Sequence, residues 1–147
     1  DLGVRETRRN NGIRRLTVAE MQRGAASDDT IGLSAYGWDL GGSKNTSQPM
    51  HGQPKPELTA IPYGIMVPRD CANLVCPGRA ISVERQVLGP LRVMAPVMAM
   101  GQASGTAAAI AAANALDFAA ISIDPLQKQL RQDGALLSGE NLPLVAS

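Results

Sequence analysis

A run of 24 residues without a charged side chain, Val93–Leu116, constrains the fold of this chain more than any other feature. The run is long enough to cross a membrane. We reject a membrane-spanning helix, because the run consists mostly of Ala, Gly, Ser, Thr, Gln and Asn and has few of the Leu, Ile and Phe residues that drive membrane insertion. Pro96 suits the first turn of a helix, so the pattern predicts a helix over about Pro96–Leu116. Because this helix is apolar nearly all round, we expect it to be buried.

Two glycines within this helix indicate how it packs. Gly101 and Gly105 are four residues apart and therefore share one face. That bare face would let another backbone or a flat ligand approach closely.

The remaining local signals predict a mixed α/β domain, with α+β as the alternative. A Thr17-x-x-Glu20 capping box opens a short helix. A last helix has Asp124 as its cap, Pro125 at its first position and Gly134 after its end. Apolar patterns predict strands over 1–9, 31–36, 63–68 (strand or edge) and 72–76. The domain covers 1–135, with a long Gly/Pro-rich loop over 37–62 and a flexible tail over 136–147.

Composition excludes several classes of protein. The net charge of +1, from 14 basic and 13 acidic residues, argues against a nucleic-acid partner. Cys71 and Cys76 are too few for a disulfide scaffold and do not form a C-x-x-C motif. The single histidine, His51, excludes a multi-histidine metal site, and no metal site is predicted. No signal peptide is visible, which favours the cytoplasm, although the absence of an initiator Met suggests a fragment.

Between Asn73 and Ala113 the chain carries four short motifs in order: NLVC at 73–76, GRAIS at 78–82, LRVM at 91–94 and MAMGQASGTAAA at 98–109. Their order resembles the C-terminal portion of the FAD-dependent oxidoreductase family. GVRETRR at 3–9, IPYGIMVP at 61–68 and LQKQL at 126–130 resemble further parts of the same pattern. Where relatives often carry Thr and His, this chain has Val83, Glu84 and Arg85. The label xanthan lyase, carried by some relatives, has no support in these residues.

The resemblance implies the C-terminal half of a Rossmann-like FAD/NAD(P)-binding domain that is split in sequence. The cofactor would be FAD, and the activity would be transfer of a hydride or electron pair between substrate and flavin. The implied partner is an N-terminal half carrying G-x-G-x-x-G, a motif that this sequence lacks. We therefore expect the chain alone to be inactive and not to retain FAD. The alternative is a non-catalytic, self-associating structural module, and a homo-oligomer is consistent with either.

The resemblance also implies a set of cofactor contacts. The N–H groups around Val97–Ala99, at a helix N-terminus, would suit the negative charge of reduced flavin. Arg92 would add positive charge there, or form a structural ion pair. The implied FAD contacts are Gly78, Arg79, Ser82, Arg92, Val93, Val97, Met98 and Ala99.

Substrate contacts are less defined, and no catalytic residue is assigned. Arg5 and Arg9 share one face of an extended strand and could bind an anionic substrate. A solvated or ion-paired strand is the alternative reading of these two arginines. His51 is the only imidazole in the chain, with an ordinary surface position as its alternative.

Overall fold

The computed structural model describes residue 6 and residues 8–24, 27–38 and 57–139. Most of the predicted first strand, with Arg5, lies outside the described residues. So do most of the predicted loop, with His51, and residues 140–147 of the predicted tail.

The described chain forms four helices, two strands and three short 3₁₀ turns. The helices are α1 (Val18–Arg23), α2 (Leu88–Leu91), α3 (Met94–Asn114) and α4 (Ile123–Gln132). The strands β1 (Thr30–Ser34) and β2 (Thr59–Pro62) pair antiparallel, with Leu33 opposite Ala60 and Ser34 opposite Thr59. The 3₁₀ turns are Tyr63–Ile65, Gly78–Ala80 and Phe118–Ala120. Mixed helix and sheet agree with the predicted class, but this part of the chain shows no doubly wound parallel sheet.

The locally encoded predictions are confirmed except for the start of the last helix, where Asp124 and Pro125 are the second and third helical residues rather than the cap and the first. Thr17 and Glu20 form the reciprocal capping box of α1. The strand predicted over 31–36 corresponds to β1, and α3 begins and ends two residues before its predicted bounds. Gly134 follows α4 with φ of +85°, a conformation that glycine adopts without strain. Asp124 lies in the first turn of α4, whose N-cap is Ser122 instead.

Two strand predictions are wrong. The chain from Tyr63 to Ile65 is a 3₁₀ turn, and the strand lies earlier, within the predicted loop, as β2. Pro62, the last residue of β2, lies opposite Thr30 but has no N–H to donate to the ladder. Residues 72–76 form turns and irregular backbone rather than a buried strand, and Leu74 is 42% exposed.

The core lies between the β1–β2 pair and helices α3 and α4. Leu126 and Leu130 of α4 are fully buried, as their shared face predicts. The Gln127 amide donates to the carbonyl oxygens of Asp28 and Thr30, at 2.8 and 2.9 Å, which ties α4 to the start of β1. These contacts fix the position of β1, on which α3 also packs.

Tyr63 joins the turn after β2 to the 3₁₀ turn after α3. Its hydroxyl donates to the carbonyl of Phe118 at 3.0 Å. Burial of the ring raises the pKa of Tyr63 to about 12, so the group stays a neutral donor at physiological pH.

Helix α3 has one buried face and one exposed face, which corrects the expectation that it is buried nearly all round. Gly101 and Gly105 are exposed, and a Cβ added to either would meet nothing within 4 Å. Within the described chain, therefore, no other element packs against the face that carries Gly101 and Gly105, although the sequence predicts a close approach there. The packed face is the opposite one, formed by Pro96, Met100, Ala103, Ser104, Ala107 and Ala111. Because both faces are small and apolar, hydrophobic periodicity cannot distinguish them.

Arg14 holds the segment before α1 to the loop before β1. Its guanidinium pairs with Asp29 at 2.5 Å and with Glu20 at 3.2 Å, and it also donates to Ser27. Asp29 in turn accepts the Gly64 N–H at 2.9 Å. Arg14 and Asp29 thereby connect the segment before α1, the loop before β1 and the turn after β2.

We expect Glu20→Gln to remove part of the acid sensitivity of folding. Burial raises the pKa of Glu20, but hydrogen bonds from Thr17 and the nearby Arg14 outweigh it, so the pKa lies below its usual value. A carboxyl group with a lowered pKa stabilises the fold above its unfolded pKa of about 4.3. That contribution is lost as pH falls through the folded pKa.

Urea unfolding of both proteins between pH 3 and pH 7 measures this effect. The free energy of unfolding should fall less with acidification in Glu20→Gln than in the unsubstituted chain. Glu57→Gln, at an exposed position, is the control. Parallel pH profiles for all three proteins would contradict the assignment.

Candidate active site

A groove of about 720 Å³ lies between β1 and the N-terminal half of α3. One wall is the chain from Ile31 to Tyr36, and Leu58 joins it from the residue before β2. The lining residues carry no charge, so within the described chain the groove is an apolar surface with a few polar groups. The opposite wall comprises Val93, Ala95, Pro96, Met98, Ala99 and Gln102, with Ala135 and Leu136 at one end.

Small residues bring the two walls together. A Cβ on Gly32 would lie 3.0 Å from the Cβ of Ala99, so a larger residue at position 32 would push the strand off the helix. Ser34 is buried, and its hydroxyl donates to the carbonyl of Pro90 at 2.9 Å, fixing the end of β1 to α2. Gly32 and Ala99 therefore set the distance between the two walls, and the end of β1 is held to α2.

The N-terminus of α3 opens beside this groove. Val93 is the N-cap in an extended conformation, and its side chain offers no acceptor to the first helical turn. The prediction that the N–H groups around Val97–Ala99 form this terminus is wrong, because the Val97 N–H already donates to the carbonyl oxygen of Val93 at 3.1 Å. The first turn presents the N–H groups of Met94 and Ala95 instead, and Pro96 has none. Helix N-termini carry about half a positive charge, so an acceptor on a ligand in the groove would be stabilised at this end.

Three of the predicted cofactor contacts line the groove, and two others meet behind it. Val93, Met98 and Ala99 are in its wall. Gly78 and Val97 lie against each other, because a Cβ on Gly78 would be 3.7 Å from Val97 Cγ1. Gly78 also donates its N–H to Met100 Sδ at 3.4 Å, in a backbone with φ of +82° that favours glycine.

The other predicted contacts are placed apart from the groove wall. Ser82 is buried, with its N–H donating to Ile65 at 2.8 Å and its carbonyl accepting from Leu16 at 3.1 Å. Arg79 is exposed in the 3₁₀ turn after Pro77. Arg92 is half-buried between α2 and α3.

Among the substrate candidates, only Arg9 is described. Its guanidinium pairs with the Glu6 carboxylate at 3.3 Å, as predicted by the alternative reading in which this segment is ion-paired rather than substrate-binding. Arg5 and His51 lie outside the described residues.

Several residues that line the groove are not among the site residues predicted from the sequence. They include Ser34, Tyr36, Leu58 and Gln102. One signal was present, since a glycine inside an apolar strand, here Gly32, marks a close approach by another element.

The model of the FAD dependent oxidoreductase family matches residues 1–130 of the 147-residue chain. The chain belongs to the FAD dependent oxidoreductase family. The resemblance predicted from its motifs is thereby confirmed. No match was found among curated proteins or among solved structures.

Membership of the FAD dependent oxidoreductase family implies FAD as the cofactor, and the groove fits one part of that molecule. The oxidised isoalloxazine ring is uncharged and has an apolar side, and the groove offers it an apolar, uncharged lining. The ring's carbonyl edge would suit the N-terminus of α3. The uncharged lining does not fit the pyrophosphate, and the sequence has no G-x-G-x-x-G to hold it.

The described residues offer no candidate for a metal site, a membrane-spanning helix or a reactive thiol. They contain no group of three or more His, Cys, Asp or Glu side chains that could hold a metal ion. Nor does any helix among them have the length and hydropathy needed to cross a membrane. Burial, together with the nearby Cys71, raises the pKa of the Cys76 thiol, which disfavours the reactive thiolate.

Proposed function

We propose that this chain supplies the isoalloxazine side of the FAD site in a flavoprotein oxidoreductase. The observation that carries the proposal is the apolar, uncharged groove beside the N-terminus of α3, which has no side-chain cap. FAD, when bound, would exchange a hydride or electron pair with the substrate. The residues of this chain bind and orient the ring.

The start of α3 would stabilise negative charge on the ring. The N–H groups of Met94 and Ala95 belong to the first helical turn, and Arg92 immediately precedes the helix. Partial positive charge at a fixed position stabilises an anionic ring more than a neutral one, which favours the reduced state. Gly78 and Val97, behind the groove, would keep this turn in position.

A segment outside this sequence would hold the pyrophosphate and adenosine. The support is the absence of G-x-G-x-x-G from all 147 residues, together with a groove that offers no charge to a phosphate. The segment we propose is a strand–G-x-G-x-x-G–helix unit, whose helix N-terminus binds phosphate. With it, the chain would form a Rossmann-like FAD-binding domain.

The chain alone should lose FAD but bind riboflavin weakly. Without pyrophosphate contacts, FAD should separate from it on gel filtration, leaving no absorbance near about 450 nm. Riboflavin, which has the ring without the pyrophosphate, should titrate into the groove with a measurable change in flavin fluorescence. Stoichiometric FAD surviving gel filtration would contradict the division of the site between two segments.

Two exposed positions on α3 provide a matched test of where the ring binds. Met98 lines the groove, whereas Ala109, also exposed, does not. Met98→Glu should weaken riboflavin binding by about tenfold, because a carboxylate beside the ring must be desolvated. Ala109→Glu, which adds the same charge on the same helix outside the groove, should change it by about twofold or less. Equal effects of the two substitutions would remove the ring from this groove.

A further inference from the structure

The groove between β1 and α3 has two distinct ends, because the strand and the helix run past each other in opposite directions. The Ser34 hydroxyl reaches the carbonyl of Pro90, which precedes α3, whereas Gly32, two residues earlier in the strand, lies against Ala99. The N-terminus of α3 therefore marks one end of the groove. Gln102, the last residue of α3 that lines the groove, marks the other end, about 12 Å further along the helix at 1.5 Å per residue.

Two polar side chains in the groove lining have no hydrogen-bond partner within the described residues. Of the lining side chains, only Ser34, Tyr36 and Gln102 carry an N–H or O–H group. The Ser34 hydroxyl is already used, since it donates to Pro90 and accepts the N–H of Tyr36 at 3.3 Å. The hydroxyl of Tyr36 and the side-chain amide of Gln102 form no hydrogen bond in this part of the chain, so both are available to a ligand.

The groove offers no charge to a ligand of either sign. Its described lining contains no Asp, Glu, Lys, Arg or His, and Arg92, just before α3, lies outside it. The partial positive charge of the helix N-terminus fades within the first turn and does not extend to Gln102. A carboxylate, phosphate or ammonium group near Gln102 would lose hydration without gaining an opposite charge. The Gln102 end therefore disfavours charged ligands.

The groove has room for more than the flavin ring. Its volume of about 720 Å³ lies in the upper part of the range for a complete drug-sized ligand, about 300–1,000 Å³. The isoalloxazine ring is only one part of FAD, and its carbonyl edge suits the N-terminal end of α3. The end marked by Gln102 is thereby left for a second molecule.

We propose that the Gln102 end of the groove binds the substrate, and that this substrate is an uncharged, largely apolar molecule with a hydroxyl or carbonyl group. A side-chain amide accepts from a hydroxyl and donates to a carbonyl, so Gln102 recognises either group. Gly32 and Ala99 provide apolar surface beside it. This inference rests on the proposed function, because it assigns the other end of the groove to the flavin ring.

Three naphthalene probes of similar size test the preference for an uncharged ligand. At pH 7, 2-naphthalenemethanol is neutral, 2-naphthoate is an anion and 2-naphthylmethylamine is a cation. Nuclear magnetic resonance of the isotope-labelled chain gives the Kd of each probe from the shifts of the Gln102 side-chain amide. The alcohol should bind at least about fivefold more tightly than either ion, because the ions must be desolvated. An ion that binds as tightly as the alcohol, or shifts confined to residues outside the groove, would overturn the inference.

Substitutions of Gln102 separate recognition of the hydroxyl from a structural contribution. Gln102→Leu removes the hydrogen bond at similar volume, so it should weaken binding of 2-naphthalenemethanol by about threefold to tenfold. Binding of 2-methylnaphthalene, which has no hydroxyl, should stay within about twofold. Equal weakening of both probes would overturn the role of Gln102.

A lysine at the same position should reverse the charge preference. Gln102→Lys should make 2-naphthoate bind more tightly than the alcohol, because the carboxylate then gains an opposite charge. Ala109→Lys, which adds the same charge on an exposed part of α3 outside the groove, should leave the original order unchanged. The same order of probes in Gln102→Lys as in the unsubstituted chain would overturn the inference.

Riboflavin separates this inference from the flavin proposal. Saturating riboflavin should change the Kd of 2-naphthalenemethanol by about threefold or less, since the two ligands occupy different ends of the groove. Displacement of the alcohol by riboflavin would overturn the inference and leave the ring in the groove. A chain that binds the alcohol at Gln102 but no riboflavin would contradict the flavin proposal and still support a site for an uncharged ligand.

Discussion

Replacing Gly12 by alanine is expected to destabilise the chain by about 3 kcal/mol, the upper end of the range for overpacking. A Cβ at position 12 would lie 2.7 Å from the carbonyl oxygen of Arg14 and 2.7 Å from the Cβ of Ser82. It would also lie 2.9 Å from the carbonyl oxygen of Gly64. Both oxygens belong to backbone that cannot move alone, because Arg14 donates its N–H to Gly64 at 3.2 Å.

Gly37→Ala is the matched control for this substitution. Gly37 is exposed, and a Cβ there would meet nothing within 4 Å. Urea unfolding should show a much lower midpoint for Gly12→Ala, whereas the free energy of unfolding of Gly37→Ala should lie within about 0.5 kcal/mol of that of the unsubstituted chain. If Gly12→Ala proved as stable as Gly37→Ala, the close packing of this segment would be wrong.

The elements predicted correctly from the sequence are those that local residues specify. The capping box at Thr17 and Glu20 lies within four residues, and so does the left-handed turn at Gly134 that ends α4. The length of α3 follows from an uninterrupted run of residues compatible with a helix. In each of these cases the determining interactions are within one or two turns of the chain.

The predictions that are wrong concern interactions between segments that lie far apart in the sequence. Strand β2 is short, ends in proline and exists because Ala60 and Thr59 pair with β1, more than 20 residues earlier. Residues 72–76 are apolar enough for a buried strand, but the described structure provides no strand to pair with them. The close contact of Gly12 with Gly64 and Ser82 has no local signal at all.

The residues of the candidate site likewise fall into two groups, those that one stretch of sequence predicts and those that only the tertiary structure brings to the site. Val93, Met98 and Ala99 were predicted because they lie in one stretch of sequence that resembles the family. The facing wall comes from β1 and Leu58, which only the tertiary structure brings to α3. Gly32 was the residue that could have indicated this approach, since a strand interior otherwise disfavours glycine. The same long-range packing decides which side of α3 is buried.

Substituting leucine at two nearby positions of α3 should therefore have opposite effects. Ala107 is fully buried in the core, so Ala107→Leu inserts three carbons into a packed site and should cost about 1–3 kcal/mol. Gly105 is exposed with no neighbour within 4 Å of an added Cβ. Gly105→Leu should raise the stability of the dilute chain by about 0.5–1 kcal/mol, because glycine is a poor helix former.

Thermal unfolding of the three proteins at one low protein concentration measures these effects. The expected order of melting temperature is Gly105→Leu, then the unsubstituted chain, then Ala107→Leu. The face with the glycines is the one that the spacing of Gly101 and Gly105 predicts to be closely approached, so the experiment decides which face the folded chain buries. A lower melting temperature for Gly105→Leu than for Ala107→Leu would show that the glycine face is covered in the chain by itself, and the orientation of α3 described above would be wrong.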